Sequence, residues 1–157
     1  MKRKFRTVIL GGTFDYIHKG HWILITRAFD SAENILIGIT TDNFAACLGK
    51  KIQHNFKIRV ENMTNYLNKF FKDRNFKIVP LDNFFGIETY EDNVEAIVAS
   101  PETSTRVIEF NKERIKLGFK PLKLLVVNTV LAEDGKPISS SRIRLEEINE
   151  EGYLCNN

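Results

Sequence analysis

Residues 11–21, Gly-Gly-Thr-Phe-Asp-Tyr-Ile-His-Lys-Gly-His, concentrate residue types that handle phosphate. Gly11 and Gly12 carry no Cβ, so their backbone N–H groups can approach an anion closely. Thr13 adds a hydroxyl able to hold a phosphate oxygen. His18 and His21 stand three residues apart, a spacing that puts both on one side of a helix start. The helix dipole favours negative charge there. The stretch supplies no clear covalent nucleophile with an orienting partner, and the chain contains no G-x-x-x-x-G-K-[ST] loop. Phosphoryl-type transfer needs little covalent help, because positioning and charge stabilisation do most of the work. Direct displacement at a nucleotide phosphorus suits this inventory better than hydrolysis or hydride transfer.

A second cluster, Ser139-Ser140-Ser141, follows a polar turn at residues 133–137 and precedes a short helical pattern. Serine there reads as a helix N-cap. The same free N–H groups can also receive phosphate oxygens, so a cap and an anion site are compatible. Lys50 and Lys51 form a basic loop that is either solvated or phosphate-binding, and lysine suits the second role as a mobile point charge. Asp15 reads either as a turn residue or as support for the glycine loop. His54 reads as a surface residue. Trp22 reads as packing behind the glycine turn, and Phe70, Phe71, Phe84 and Phe85 as core or pocket wall. Two histidines at this spacing could suggest zinc, but no third ligand lies nearby.

These groups must be positioned by the elements around them. Apolar runs at residues 7–10, 35–39, 77–81, 94–98 and 122–127 read as strands. Helical patterns alternate with them, the mark of a parallel sheet with crossover helices. The first helix spans about residues 20–32, with Ile23, Leu24, Ala28 and Phe29 inward. Asp42 is placed to cap a short helix carrying Phe44 and Ala45. Asn55 is placed to cap a longer one bearing Ile58, Met63, Tyr66, Leu67 and Phe70. Pro101 opens the next, which stops before Gly118. The run 122–127 is the most apolar and is expected to be a central, doubly covered strand. A polar loop contains Gly86, and the tail from Gly152 is expected to fray. The expected fold is α/β, a single doubly wound, Rossmann-like domain over residues 1–157 with a five-stranded parallel sheet. Functional groups then gather at the carboxyl ends of the strands, near the switch point.

Composition bounds the function. A chain of 157 residues with 43% hydrophobic and 27% charged residues is globular and large enough for its own core. The net charge of +3 suits small polyanions and argues against nucleic acid. No run approaches the roughly 20 apolar residues of a membrane span. The apolar stretch behind the basic first residues is too short for a signal peptide. Cys47 and Cys155 read as free thiols. A cytoplasmic protein without membrane or nucleic-acid partners is expected.

Residues 12–21, G-T-F-D-Y-I-H-K-G-H, resemble the G-T-F-D-x-x-H-x-G-H signature of the nucleotidylyltransferase superfamily. Residues 138–144, I-S-S-S-R-I-R, resemble its second signature, I-S-S-[ST]-x-I-R. Further stretches, A-I-V-A-S-P-E-T at 96–103, G-F-K-P-L at 118–122 and V-L-A-E-D-G-K-P at 130–137, resemble phosphopantetheine adenylyltransferases of the archaeal and eukaryotic type. The resemblance implies transfer of AMP from ATP to 4′-phosphopantetheine by in-line displacement, giving dephospho-coenzyme A and pyrophosphate. Mg²⁺ is expected to arrive with ATP, held by phosphate oxygens and water.

By the same resemblance His18, His21 and Lys50 act at the α-phosphate, with Lys51 a rival to Lys50. Thr13 and Lys50 hold the acceptor phosphate. Gly12, Thr13, Phe14, His21, Ser139, Ser140, Ser141 and Arg144 bind the nucleotide, and Arg142 is a further phosphate candidate. Phe84 and Phe85 are candidates to line the pantetheine arm. Bacterial members carry R-G-L-R after the fourth strand where this chain has Ser100-Pro101-Glu102-Thr103, so Arg106, Asn111 and Arg114 are candidate substitutes. The alternatives are another acceptor (nicotinamide mononucleotide, glycerol 3-phosphate or a flavin) or a nucleotide-binding module without turnover.

Overall fold

Alternating apolar runs and helical stripes build a parallel sheet. The computed structural model describes residues 3–84 and 93–156. Its elements are β1 (Phe5–Gly12), α1 (Lys19–Ser31), β2 (Ala32–Thr40), α2 (Asp42–Cys47), α3 (Phe56–Phe70), β3 (Asn75–Leu81), β4 (Val94–Ala99), α4 (Pro101–Lys116), β5 (Lys123–Val126) and α5 (Ser140–Arg144). Phe85 and the loop around Gly86 lie outside the described residues. The five strands pair in the order β3-β2-β1-β4-β5, all parallel. The expected doubly wound α/β sheet is therefore found.

Side chains alternate across β1. Val8 and Leu10 enter a core with Ile25, Phe29, Met63 and Leu67 of α1 and α3. Ile9 faces the other way, toward Phe110 of α4 and Leu122. This period of two is what an extended strand imposes. The strand order reverses between β1 and β4, so the loops after those strands flank the crevice where such sheets bind ligands.

Several expectations are corrected. The run 122–127 is not central: among the described residues β5 pairs with β4 alone, and its end residues Lys123 and Val126 are exposed. Apolar content cannot distinguish burial between strands from burial under a helix, and Leu122 is buried against α4. Ile23, Ile58 and Phe70 are 37%, 41% and 47% exposed, so they lie off the inward faces of their helices. Thr41, not Asp42, caps α2 by accepting from the Phe44 N–H. Asn55 caps α3 as expected.

The tail is tied down over its described residues, 152–156. Glu133 N–H donates to Gly152 O, Leu154 N–H to a Glu133 carboxylate oxygen, and Cys155 N–H to Glu147 O. Gly152 has φ +89°, and a Cβ there would sit 2.6 Å from Ile138 Cδ1. Only glycine fits both constraints. A small core of Ala132, Ile138, Ile143 and Ile148 thus seats the segment that carries the three serines.

Candidate active site

The glycine turn ends β1 and reverses the chain into α1. Phe14, just past Gly12, takes φ 52°, a left-handed conformation uncommon for an aromatic residue. Its ring is buried in the core and packs 4.7 Å from the ring of His21. This leaves the backbone of Phe14, rather than its side chain, for a nucleotide. The two histidines build the helix start. His18 is the N-cap, and its Nδ1 accepts from Gly20 N–H at 3.1 Å. His21 Nδ1 accepts from His18 N–H at 3.4 Å, completing a reciprocal capping box. The rings stack with centroids 3.8 Å apart. In a neutral His18, the bond at Nδ1 puts the proton on Nε2.

Asp15 supports the loop and is not merely a turn residue. It is buried and accepts from Gln53 N–H, His54 N–H and Arg144. His54 Nδ1 lies 3.1 Å from the same carboxylate, so His54 is a partner of Asp15 rather than a surface residue. Burial pushes the Asp15 carboxyl up. The His54 and Gln53 N–H groups and the His54 ring outweigh this and hold it below the ordinary value.

Arg59, fully buried on α3, supports the loop from the other side. Its Nε donates to His54 O, and its two terminal nitrogens donate to Thr13 O at 2.8 Å and Asp42 Oδ1 at 2.8 Å. Thr40 donates to Thr13 Oγ1 at 3.2 Å, which leaves the Thr13 proton for another acceptor. The roles of Arg59 and Thr40 are missed by motif reading. One signal was available: Arg59 precedes Met63 and Leu67 at helical spacing, an arginine on an apolar stripe.

The second motif docks on the first. Ser140 Oγ accepts from Tyr16 N–H at 3.1 Å and donates to Tyr16 O at 3.0 Å. Ser139 Oγ caps α5 through Arg142 N–H. Two serine hydroxyls are therefore occupied structurally, and the first N–H groups of α5 and Ser141 are the groups there able to receive an anion. Arg144 bridges Asp15 and Ser141 Oγ. Arg142 is corrected: Asp134 and Glu147 bind its guanidinium away from the cavity.

Two adjoining cavities result. One, of about 340 Å³, is lined by His18, Lys51, Ser139, Ser140, Ser141 and Arg144 among others. The second, of about 420 Å³, is lined by Gly12, Phe44, Leu81, Phe84, Arg106 and Phe110 among others. Thr13, Phe14, His21, Lys50, Ser100 and Glu102 belong to both. Lys50 therefore lies at the shared edge, whereas Lys51 lines only the serine-side cavity. Asn111 and Arg114 are structural: Asn111 bonds Leu122 N–H and O, and buried Arg114 donates to Lys120 O. Trp22 packs on Tyr66, Phe70 and Phe71. Among the described residues, no group of three or more His, Cys, Asp or Glu could hold a metal ion. Nor is any helix there long and apolar enough to cross a membrane.

Burial pushes His18 down to about 4. Burial also pushes His21 well below the ordinary histidine value, a charged His18 adds to this, and a hydrogen bond with the Tyr16 backbone opposes it. Both rings are neutral at pH 7. For His18 the unfolded chain takes up the proton first, near pH 6.5. The stability from its neutral form is complete above that pH and is lost as the pH falls toward about 4, by about 3 kcal/mol for the full shift. His18→Asn keeps a good capping acceptor and removes the titration. Urea midpoints at pH 7 and pH 4.5 should therefore differ less in the variant than in wild type. An equal acid sensitivity would disprove this role of His18.

Sheet, switch-point crevice, glycine turn and serine helix together define an α/β nucleotide-binding protein with phosphate groups as its quarry. The model of the family described as cytidylyltransferase-like matches residues 9–146. The chain is 41% identical over 154 residues to the phosphopantetheine adenylyltransferase of Methanothermobacter thermautotrophicus, covering 98% of this chain and 92% of that protein. It is 41% identical over 143 residues to that of Methanopyrus kandleri, covering 91% of each. A crystal structure of a protein of unknown function from Archaeoglobus fulgidus superposes with a TM-score of 0.71 at 30% identity, covering 85% of this chain and 99% of that one. The chain belongs to the cytidylyltransferase-like family and, within it, to the phosphopantetheine adenylyltransferases.

Proposed function

We propose that this protein transfers AMP from ATP to 4′-phosphopantetheine, forming dephospho-coenzyme A and pyrophosphate in coenzyme A synthesis. The observation that carries this reading is the meeting of two cavities at Thr13, His21 and Lys50. A two-substrate displacement needs two sites that share one edge. The triphosphate lies in the serine-side cavity, against the first N–H groups of α5, Ser141, Arg144 and Lys51. The acceptor lies in the second cavity, with its phosphate at Thr13 and Lys50.

An acceptor phosphate oxygen attacks the α-phosphorus in line. The new bond is O–Pα, and the bond to the β-phosphate oxygen breaks, releasing pyrophosphate. The Thr13 hydroxyl donates a hydrogen bond to an oxygen of the attacking phosphate and orients it. Lys50, His18 and His21 stabilise the charge that develops on the α-phosphate oxygens. Neutral histidines suit this task as Nε2–H donors, and an arriving polyphosphate opposes the effect of burial by raising their proton affinity. Mg²⁺ would supply charge neutralisation on the triphosphate and would be held mainly by ATP, since among the described residues no group of three or more His, Cys, Asp or Glu could hold it and the lysines and hydroxyls of the lining suit phosphate instead. The whole chain, residues 1–157, acts as one cytoplasmic domain without nucleic-acid or membrane partners.

The test is pyrophosphate release from ATP and Mg²⁺ with each candidate acceptor. Release with 4′-phosphopantetheine is expected, at rates far above those with nicotinamide mononucleotide, glycerol 3-phosphate or flavin mononucleotide. Activity with one of those but not with phosphopantetheine would overturn the acceptor assignment. ATP binding without release for any acceptor would overturn the enzymatic reading.

A further inference from the structure

Arg106 stands in the second turn of α4 with its guanidinium carbon 3.9 Å above the ring of Phe84. Phe84 meets Phe44 edge-on, with centroids 5.2 Å apart. All three line the acceptor-side cavity. Arg106 and Val107 belong to that cavity alone, whereas Thr13, His21 and Lys50 line both. Arg106 therefore lines the acceptor cavity without being one of the residues at the edge where the two cavities meet. Leu81, Ile97 and Phe110 make much of the rest of that lining apolar. In such a cavity a few convergent polar groups fix the orientation of a ligand. A guanidinium above a ring uses its face for the contact and keeps in-plane N–H groups for oxygen acceptors.

We infer that Arg106 is an acceptor-recognition residue, held by Phe84, that donates to an amide carbonyl of the acceptor's extended arm. This rests on the reading of 4′-phosphopantetheine as acceptor, whose arm carries amides between its phosphate and its thiol. It also moves Arg106 from the nucleotide side, suggested by its place after the fourth strand, to the acceptor side. Arginine recognises carbonyl oxygens through hydrogen bonds assisted by charge, and these are stronger than neutral ones.

The test is R106M, which keeps an unbranched stem over Phe84 and removes the donors. The KM for 4′-phosphopantetheine should rise about ten- to a hundredfold, as expected for a lost hydrogen bond to a charged group. The KM for ATP should stay within about twofold. Inhibition by propyl phosphate, which has a phosphate but no amide, should be equally weak in both proteins. An unchanged acceptor KM, or a rise confined to ATP, overturns the inference. So does weaker propyl phosphate inhibition in the variant, which would move Arg106 to the phosphate. A wild-type protein inactive with phosphopantetheine sinks the underlying reading as well; an active wild type with an unchanged R106M sinks this inference alone.

Discussion

The His21→Ala protein is expected to turn over about a hundred- to a thousandfold more slowly than wild type, equivalent to roughly 2.7–4 kcal/mol of barrier. His21 lines both cavities, and under the proposed mechanism their shared edge is where the acceptor phosphate meets the α-phosphorus. Its ring is held by the stack on His18 and by Phe14 behind it, so a donor is aimed before substrate arrives. ATP affinity should fall less, because α5, Arg144 and the lysines remain. Steady-state pyrophosphate release and equilibrium ATP binding measure the two effects separately. Alanine also opens the capping box, so His21→Gln is the decisive companion: glutamine suits the N3 position of such a box but lacks the imidazole. A glutamine variant as slow as alanine supports charge stabilisation. Restored turnover would reduce His21 to a helix cap, and unchanged turnover in alanine would refute its role outright.

Replacing Arg59 by methionine should destabilise the fold by about 2–4 kcal/mol, because it leaves the carbonyls of Thr13 and His54 without their donor and each unsatisfied buried group costs about 1–3 kcal/mol, whereas half-exposed Asp42 stays solvated. Arg59 is fully buried, and its donors satisfy Thr13 O, His54 O and Asp42. Methionine fills much of the space but leaves those acceptors without their donor. Lysine should rescue poorly, because one ammonium cannot reproduce a planar fork that reaches three separate groups. Urea denaturation at constant m-value measures the loss, and a change below about 1 kcal/mol would show the network to be dispensable. Substrate kinetics add a second readout. Arg59 holds the carbonyl of Thr13, so the acceptor KM should rise even where the variant is folded.

Local rules carried much of this molecule. Asn55 and Pro101 start their helices because a capping oxygen and a preset φ act within one turn. The glycine turn and the serine segment were legible for the same reason: each is a contiguous motif whose chemistry is local. His18 and His21 were legible as a pair on one side of a helix start but not as a capping box, since histidine is not an expected cap. The run at 122–127 misled because hydrophobicity reports burial without saying what covers it. His54 and Arg142 misled because a charged side chain in a polar stretch looks solvated until its partner is known.

The sequence by itself determined the order of elements, the two motifs and the family to which they point. Tertiary structure alone decided which residues meet. Tyr16 with Ser140, Asp15 with Arg144, and Thr13 with Thr40 and Arg59 are pairings across long sequence separations. They depend on strand order and register, which follow from packing of the whole sheet rather than from any window of neighbours. That packing brought two separate motifs together around two adjoining cavities, and it set Arg106 on the second of them, apart from the serines.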